Sequence, residues 1–429
     1  MVSILYLPTR YFPAISGAEF YFQRLAEILQ EKFNYNVYIW TSNAIDFSAL
    51  RSSSGRILEE KNKYYSKVNK VKINRFPIDY EFTLEEKLEL IKSVEEYKNL
   101  KISDNCLIKL LDNGPFITNF LNLSRNDLNK FDLIHTTYYP YFNLLNALIF
   151  GEKLQIPTIC TPFFHFENPR YLDKDLMEII PKFDKLIACT NTEKNFLLHN
   201  SKIDERIINV IPMGVDYDKF NKFDKNVSFK KKFFKKAEQN YKMILFCGYK
   251  NYEKGAISIL KSIPYILEEF NKLYFVFIGP STQAFNRELS KIKKLKEARI
   301  INLTPDNLSG YFDKYKISAF RETEIYLMPS RSDAFGIAYL EAWASSKPVI
   351  GADLAATSEV IKNKSDGLLV KFDDPIDIKE KVLQLLNNKK LRKKLGKAGQ
   401  RKVRENLNWT IIAEKTHQLY QKLINSQKV

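Results

Sequence analysis

The sequence predicts an α/β fold with two Rossmann-like domains, and three features indicate it. The 429 residues are too many for one typical domain and suit two. Short apolar runs alternate with longer helical patterns, first in one series and then in a second. A polar, lysine-rich segment at 216–240 lies between the two series. Strands that alternate with helices form βαβ units, so each series predicts a doubly wound parallel sheet.

The first series runs from the N-terminus to about residue 211. Its first helix is expected at about 18–32, residues 46–70 predict a loop rich in Ser, Asn and Lys, and 81–130 predict an added helical stretch. Many of its strands are expected to be short and β-branched, as buried parallel strands are. They are expected at residues 2–7, 37–40, 71–75, 133–136, 158–160, 186–189 and 210–211.

The second series has the same alternation and ends with an amphipathic helix that begins near residue 408. Its strands are expected at residues 243–247, 274–279, 299–302, 324–328, 348–351 and 368–370. The segment between the series therefore predicts domains over about 1–218 and 219–407. Ligands of open parallel sheets bind beyond the carboxyl ends of the strands, so residues that directly follow a strand are the candidates for function.

Composition limits the classes of partner. The net charge of +17 comes from 67 basic and 50 acidic residues, and it suits nucleic acid, an anionic membrane or an anionic substrate, or only solvated lysines. No nucleic-acid motif is visible, so a nucleic-acid partner is not expected. No apolar run is long enough for a transmembrane helix, and the N-terminus predicts a strand rather than a signal peptide. Four cysteines and four histidines lack metal-site spacing, which predicts no metal and a reducing, cytoplasmic compartment.

The stretch SRSDAFGIAYLE at 330–341 follows a predicted strand and leads into a helix from about Phe335. The free N–H groups of a helix N-terminus suit phosphate oxygens, and Gly336 lets a ligand approach the backbone. Asp333 would accept hydrogen bonds from hydroxyl groups, and Glu341, about two turns further on, would reach a vicinal diol. On spacing alone, a capping Asp and a surface Glu explain the pattern as well.

Residues 330–370 resemble the signature region of the GT4 family of retaining glycosyltransferases, which have the GT-B fold. The matching features are the two carboxylates eight positions apart, KPVI at 347–350, EVI at 359–361 and GLLV at 367–370. Further resemblances are FPAISGAE at 12–19, IPMGVDYDKF at 211–220, GYKNYEKG at 248–255 and LNW at 407–409. The resemblance covers almost the whole chain. It implies two domains that face a central cleft, with the last helix returning to the N-terminal domain.

The resemblance also implies roles for residues in the donor site. Lys254 would pair with the donor diphosphate, and Lys250 would substitute for a family arginine whose position is occupied by Tyr249. Glu341 would bind the ribose hydroxyls, and Asp333 would bind hydroxyls of the donor sugar as a catalytic residue. The remaining donor-binding positions would act through the backbone: Gly17, Ala334, Phe335, Gly336 and Ile337. The glycine pair before Glu359 is replaced by Ala355 and Ala356.

Two histidines lie at or after the end of a predicted strand. A lone histidine near an apolar strand is more often structural, but the resemblance gives His165 a catalytic role at the donor sugar, with Glu167 as a weaker candidate. His135 lies near the end of the predicted strand at 133–136 and could line the site or serve the core.

The function implied is transfer of a hexosyl group from a nucleotide-diphospho sugar to an acceptor hydroxyl, with retention and with neither metal nor cofactor. Synthesis of a glycolipid, a lipid-linked glycan or a polysaccharide would use such an enzyme, and the positive charge suggests the inner membrane face as one location. A nucleotide-sugar epimerase and a binding or partner subunit with a degenerate site are the alternatives. The small number of histidines disfavours the epimerase.

Overall fold

The computed structural model describes residues 1–14, 16–60, 64–166, 168–222, 224 and 226–426. The chain divides into two compact units, Met1–Pro212 with Trp409–Val429, and Met213–Asn408. The first boundary lies six residues before the expected 218/219. The residues between the two boundaries pair with the second unit, since the Val215 N–H donates to the Leu407 oxygen at 3.0 Å. Just beyond them, the carbonyl oxygen of the buried Phe220 accepts hydrogen bonds from Arg321 at 3.3 Å and Ser345 at 3.2 Å.

The first unit contains an eight-stranded sheet in the order β3-β4-β2-β1-β5-β6-β7-β8. All neighbouring strands are parallel except the edge pair β3 and β4. The strands are β1 Ser3–Leu7, β2 Asn36–Ser42, β3 Tyr65–Val68, β4 Val71–Phe76, β5 Leu133–Thr136, β6 Thr158–Cys160, β7 Lys185–Ala188 and β8 Ile208–Val210. The expected loop at 46–70 was therefore wrong at β3.

Helices of the first unit connect these strands and cover the sheet. The added helical stretch at 81–130 is confirmed as α2 to α6, between β4 and β5. The helices are α1 Gly17–Phe33, α2 Leu84–Ser93, α3 Glu95–Leu100, α4 Asp104–Asn113, α5 Thr118–Leu121, α6 Arg125–Leu128, α7 Asn143–Leu154, α8 Lys174–Met177 and α9 Asn191–Asn200.

The last helix, α19 (Trp409–Ser426), belongs to the first unit and packs against α1. Its buried Tyr420 hydroxyl lies 3.0 Å from the hydroxyl of Tyr6 on β1. The expected return of the last helix to the N-terminal domain is confirmed.

The second unit contains a six-stranded sheet in the order β11-β10-β9-β12-β13-β14, and all its strands are parallel. The strands are β9 Lys242–Cys247, β10 Leu273–Ile278, β11 Ile300–Leu303, β12 Ile325–Met328, β13 Val349–Ala352 and β14 Gly367–Val370. The helices are α10 Tyr217–Asn221, α11 Phe229–Phe233, α12 Ala256–Glu269, α13 Gln283–Ile292, α14 Lys314–Glu322, α15 Ile337–Ala344, α16 Ala355–Val360, α17 Pro375–Asn387 and α18 Lys389–Asn406.

Both sheets therefore have the predicted doubly wound arrangement. The second repeats the Rossmann strand order, which reverses between β9 and β12, and in the first the order reverses between β1 and β5. In the described part of the chain, no helix combines the length and the apolar character needed to cross a bilayer.

Candidate functional site

The topological switch point of the second sheet lies between β9 and β12, which are hydrogen-bonded neighbours. The two segments that leave their carboxyl ends are 248–255, here the β9 loop, and 329–336, here the β12 loop. Crevices at such points are where doubly wound sheets bind ligands. Both loops carry residues that the sequence analysis selected.

The two loops are fixed to each other. The Arg331 guanidinium forms a two-pronged ion pair with Glu253, with Nε to Oε2 at 2.9 Å and Nη2 to Oε1 at 2.6 Å. Gly255 has φ +72°, and a Cβ at this residue would lie 2.3 Å from the carbonyl oxygen of Pro329. A side chain at 255 would therefore force the loops apart, so glycine is required by both conformation and space.

Lys254 and Asp333 are brought together, one from each loop. The Lys254 ammonium lies 2.8 Å from Asp333 Oδ2 and donates to the backbone oxygen of Ser332 at 3.0 Å. Both side chains are mostly buried, with 20% and 15% of their surface exposed. A partly buried ion pair at a switch point places one positive and one negative group where a ligand would bind.

The β12 loop ends at the N-terminus of α15. Gly336 precedes the helix at φ 91°, and a Cβ there would lie 2.5 Å from the ring of Tyr339. The helix begins at Ile337 rather than near Phe335. The first N–H groups of a helix have no acceptor within it and carry partial positive charge, so this end of α15 can hold an anion. Ala334 and Phe335 are themselves buried, so only their backbone could serve a ligand. The Phe335 N–H donates to Asp333 Oδ1 at 3.4 Å, so of the predicted phosphate-binding N–H groups this one is already engaged.

Glu341 does not lie on the surface of α15. Its side chain is 2% exposed and forms an ion pair with Lys316 of α14 at 2.9 Å. Lys316, 8% exposed, also lies 3.8 Å from the ring centroid of Tyr311 and donates to its backbone oxygen at 3.2 Å. The interpretation as a helix-surface Glu is wrong, and any ribose contact by Glu341 would share the carboxylate with Lys316.

Lys250 is not free to replace the family arginine. Its side chain is buried, and the ammonium donates to Asn302 Oδ1 at 2.5 Å and to the Leu303 backbone oxygen at 2.9 Å. Burial lowers the pKa of Lys250 to about 8. Tyr249, the residue that actually replaces the arginine, is 49% exposed. The structure therefore corrects the assignment of Lys250 to the phosphate group.

Ala355 begins α16 with φ 44°, in the left-handed region that favours glycine. The resemblance places a glycine pair here, and the backbone keeps the conformation although the side chain has changed. A methyl group at this φ costs about 1 kcal/mol.

In the first unit, His165 follows β6 and is half-buried. Its Nε2 lies 3.2 Å from the hydroxyl of Tyr138, which follows β5, and its ring packs edge-on against Tyr171 with centroids 5.1 Å apart. Burial raises the pKa of the Tyr138 phenol, so the hydroxyl stays protonated at neutral pH. The weaker candidate Glu167 lies outside the described residues.

The buried carboxylate of Glu193 on α9 fixes the segments that follow β6 and β7. Its two oxygens accept hydrogen bonds from the backbone N–H of Phe164 at 2.9 Å and of Cys189 at 2.7 Å. Because Phe164 precedes His165, Glu193 positions the histidine through the backbone.

Gly17 is exposed and begins α1. Two residues on, Glu19 forms a buried ion pair with Arg10 at 2.8 Å, each side chain 4% exposed, and the Arg10 guanidinium lies 3.5 Å from the ring centroid of Phe47. The sequence analysis missed Arg10, although a charged residue soon after a buried strand was a usable signal.

His135 serves the core. It is fully buried, Nε2 lies 2.8 Å from Thr161 Oγ1, and Nδ1 hydrogen-bonds the Tyr420 hydroxyl. Burial lowers the pKa of His135 to about 3, so the ring is neutral at physiological pH. Its contacts hold α19 on the sheet, and the structural alternative is the one that fits.

Among the described residues, no group of three His, Cys, Asp or Glu side chains is arranged to hold a metal ion.

Comparisons with known proteins identify glycosyltransferases, the same type of protein that the sequence resembles. The family model described as Glycosyl transferases group 1 matches residues 228–402, and the model described as Glycosyltransferase Family 4 matches residues 97–219. An uncharacterized glycosyltransferase of Methanocaldococcus jannaschii is 23% identical over 99% of both chains. The D-inositol 3-phosphate glycosyltransferase of Corynebacterium jeikeium is 24% identical over 72% of this chain and 77% of its own.

Solved structures share the fold. HepE from Anabaena, in complex with UDP and glucose, superimposes with a TM-score of 0.70 at 11% identity, covering 99% of this chain and 100% of that one. Sucrose-phosphate synthase from Thermosynechococcus elongatus has a TM-score of 0.71 at 15% identity, with 99% and 100% covered.

Proposed function

Because the chain belongs to the group 1 glycosyltransferases, we propose that it transfers a sugar from a nucleotide-diphospho sugar to an acceptor hydroxyl with retention of anomeric configuration. The observation that carries the proposal is the Lys254–Asp333 pair at the switch point, beside the N-terminus of α15. It combines a cation and free N–H groups for phosphate with a carboxylate for sugar hydroxyls. The UDP and UDP-glucose complexes of HepE support the choice of donor class.

The diphosphate would lie against Lys254 and the backbone N–H groups of Ala334, Gly336 and Ile337. These groups stabilise the negative charge that grows on the leaving oxygen as the sugar–phosphate bond breaks. They are part of the fold, so they need little reorganisation during the reaction. We propose that they make a metal ion unnecessary, and that activity survives a chelator.

The transfer would proceed on one face of the sugar. The bond from C1 to the diphosphate oxygen breaks, the acceptor oxygen bonds to C1 on the same face, and the acceptor proton passes to the departing diphosphate. No protein nucleophile takes part in this step. The enzyme would act by positioning the reactants and by stabilising charge. Asp333 would hold a hydroxyl of the transferred sugar, and Glu341 would contact the ribose while it remains paired with Lys316.

We assign His165 to the sugar as well, with its ring held by Tyr138 and by the backbone that Glu193 fixes. The acceptor would be a hydroxyl-bearing sugar or cyclitol, free or lipid-linked. The relatives that act on inositol phosphate, on phosphatidyl-myo-inositol and in capsular polysaccharide synthesis support that class. Aromatic rings stack on sugar rings, and Phe47, Tyr138 and Tyr141 form such a cluster, with centroids 5.4–6.2 Å apart.

To test the proposal, the purified protein is mixed with each of a panel of nucleotide sugars in the absence of an acceptor. Two quantities are measured: the shift in the protein's melting temperature and the amount of free nucleotide released. We expect one donor to raise the melting temperature and to be hydrolysed slowly. Lys254→Ala should abolish both responses, whereas Lys296→Ala, an exposed lysine that carries no role here, should keep them. With an acceptor in hand, NMR of the product would report the anomeric configuration. If no donor shifts the protein at millimolar concentration, the proposal fails and a binding subunit becomes the better interpretation.

A further inference from the structure

One face of α18 forms a continuous basic surface that the proposed reaction does not use. Its five cations recur at intervals of four and three residues, so they follow one side of the helix for about 21 Å. The "α18 basic face" consists of Lys390, Lys394, Lys397, Arg401 and Arg404.

The packing of α18 directs this face away from the unit. Leu395, Gly396, Gly399 and Val403 form the buried side of the helix. A Cβ at Gly399 would lie 1.9 Å from the indole of Trp343, so the backbone of α18 approaches α15 directly. At 100° per residue, the basic face is centred roughly opposite this buried side.

The charges of the basic face are mostly uncompensated. Arg404 pairs with its neighbour Glu405 at 2.9 Å. Across the described part of the chain, the side chains of Lys390, Lys394, Lys397 and Arg401 have no hydrogen-bond or ion-pair partner. On most lysine-rich surfaces, acidic side chains lie between the lysines and offset their charge. No acidic side chain lies between the cations of this face, so positive potential is concentrated along the helix.

A depression of about 680 Å³ lies beside the basic face. It lies between α18 and the turn before β14, and its lining adds a further cation, Lys364, and contains no carboxylate. The lining residues are Lys364, Ser365, Lys394, Lys397, Ala398, Gln400, Arg401 and Arg404. A concave basic surface of this size suits a phosphate-bearing head group.

We propose that the α18 basic face binds the anionic surface of a phospholipid bilayer, with one lipid head group in the depression. A row of cations on a straight helix matches a plane of phosphates, and the attraction falls off within a Debye length. The face carries no aromatic side chain, so it lacks the stacking platforms with which proteins hold single-stranded nucleic acid. It also lacks large apolar side chains, so the helix would lie on the head groups without insertion.

This inference is independent of the donor site, because none of its residues belongs to the β9 or β12 loops. It gives part of the net charge of +17 a specific location. An enzyme held in this way would meet acceptors that are anchored in the membrane.

The test is co-sedimentation of the full chain with vesicles of phosphatidylcholine, with and without phosphatidylserine. We expect binding only to the anionic vesicles, decreasing with salt. A basic group near an anionic surface contributes about fivefold to partitioning, so the combined variant Lys394→Gln/Lys397→Gln/Arg401→Gln/Arg404→Gln should bind at least about 100-fold more weakly. Its melting temperature and donor response should match those of the wild type.

The matched control removes the same charge from another face of the second unit. Lys231→Gln/Lys232→Gln/Lys235→Gln/Lys236→Gln changes four exposed lysines around α11. We expect this variant to keep nearly wild-type binding. Equal losses in both variants would show that only net charge matters and would overturn the proposal. So would tighter binding to RNA than to anionic vesicles, or no binding to the vesicles at low salt.

Discussion

The buried ion pair between Glu341 and Lys316 makes a quantitative prediction. The two side chains are 2% and 8% exposed, and their charged atoms lie 2.9 Å apart. Glu341→Ala would leave the Lys316 ammonium in a site closed to water. Removing one member of such a pair costs about 3–5 kcal/mol, whereas replacing both with apolar groups is often neutral. We therefore expect either single variant, Glu341→Met or Lys316→Met, to lose about 3–5 kcal/mol of the free energy of unfolding.

The double variant Glu341→Met/Lys316→Met should lose much less than the sum of the two single losses. Urea unfolding of the wild type, Glu341→Met, Lys316→Met and the double variant gives the coupling energy of the pair. This energy should be about 3 kcal/mol or more. Single losses that simply add in the double variant would refute the reasoning, because the pair would then carry no mutual energy.

The cycle also decides how donor-binding data on Glu341 should be interpreted. A loss of donor response in Glu341→Ala follows from lost stability as well as from a lost ribose contact. Lys316→Met is equally destabilised but keeps the carboxylate. If Glu341 binds the ribose, Lys316→Met should still release nucleotide from the donor at temperatures where the variant is folded. Glu341→Met should not release it.

Three further predictions concern stability. Burial lowers the pKa of His135 to about 3 from 6.5. The unfolded chain therefore takes up that proton first as the pH falls, and stability should be lost below about pH 6.5, by about 2 kcal/mol at pH 5. His135→Asn should show a shallower loss in urea unfolding over the same range. Glu193→Ala leaves two buried N–H groups without an acceptor and should cost about 2–6 kcal/mol in urea unfolding, with Glu193→Gln intermediate. Ala355→Gly relieves the backbone at φ 44° and should raise the free energy of unfolding by about 1 kcal/mol, whereas the matched Ala356→Gly, one residue further into the helix, should lower it by a similar amount. If Ala355→Gly lowered the free energy of unfolding and Ala356→Gly raised it, the strain argument would be contradicted.

Most of the fold could be predicted because a buried parallel strand can be recognised from a few consecutive residues. β5 and β6 begin and end at the expected residues, since each is a short apolar run with polar or turn residues around it. β3 could not be found in this way. It is a four-residue antiparallel edge strand, YSKV, and polar residues such as Ser66 and Lys67 have no apolar alternation to detect.

The site shows the same division between local and non-local information. Asp333 was selected from its place in the segment after a strand and Lys254 from the family resemblance, and the topology then brought the loops that follow two neighbouring strands together. The partner of Glu341 could not be inferred, because Lys316 lies on a different helix 25 positions away. Helical spacing gave the face of α15 on which Glu341 lies, but it could not show that α14 covers that face.

Lys250 and Lys254 lie in the same loop, but the path of the loop places their side chains in different surroundings. The Lys250 backbone N–H donates to the Pro280 oxygen at 2.8 Å, which joins this part of the β9 loop to the segment after β10. Its side chain consequently ends among the carbonyl and amide oxygens at the end of β11. Four residues later the loop has crossed to β12, and Lys254 meets Asp333 there. Because Tyr249 carries no charge, the positive charge for a diphosphate in the proposed site comes from Lys254 and the N-terminus of α15. Asp333 already offsets part of it, so a diphosphate that binds Lys254 must compete with this carboxylate.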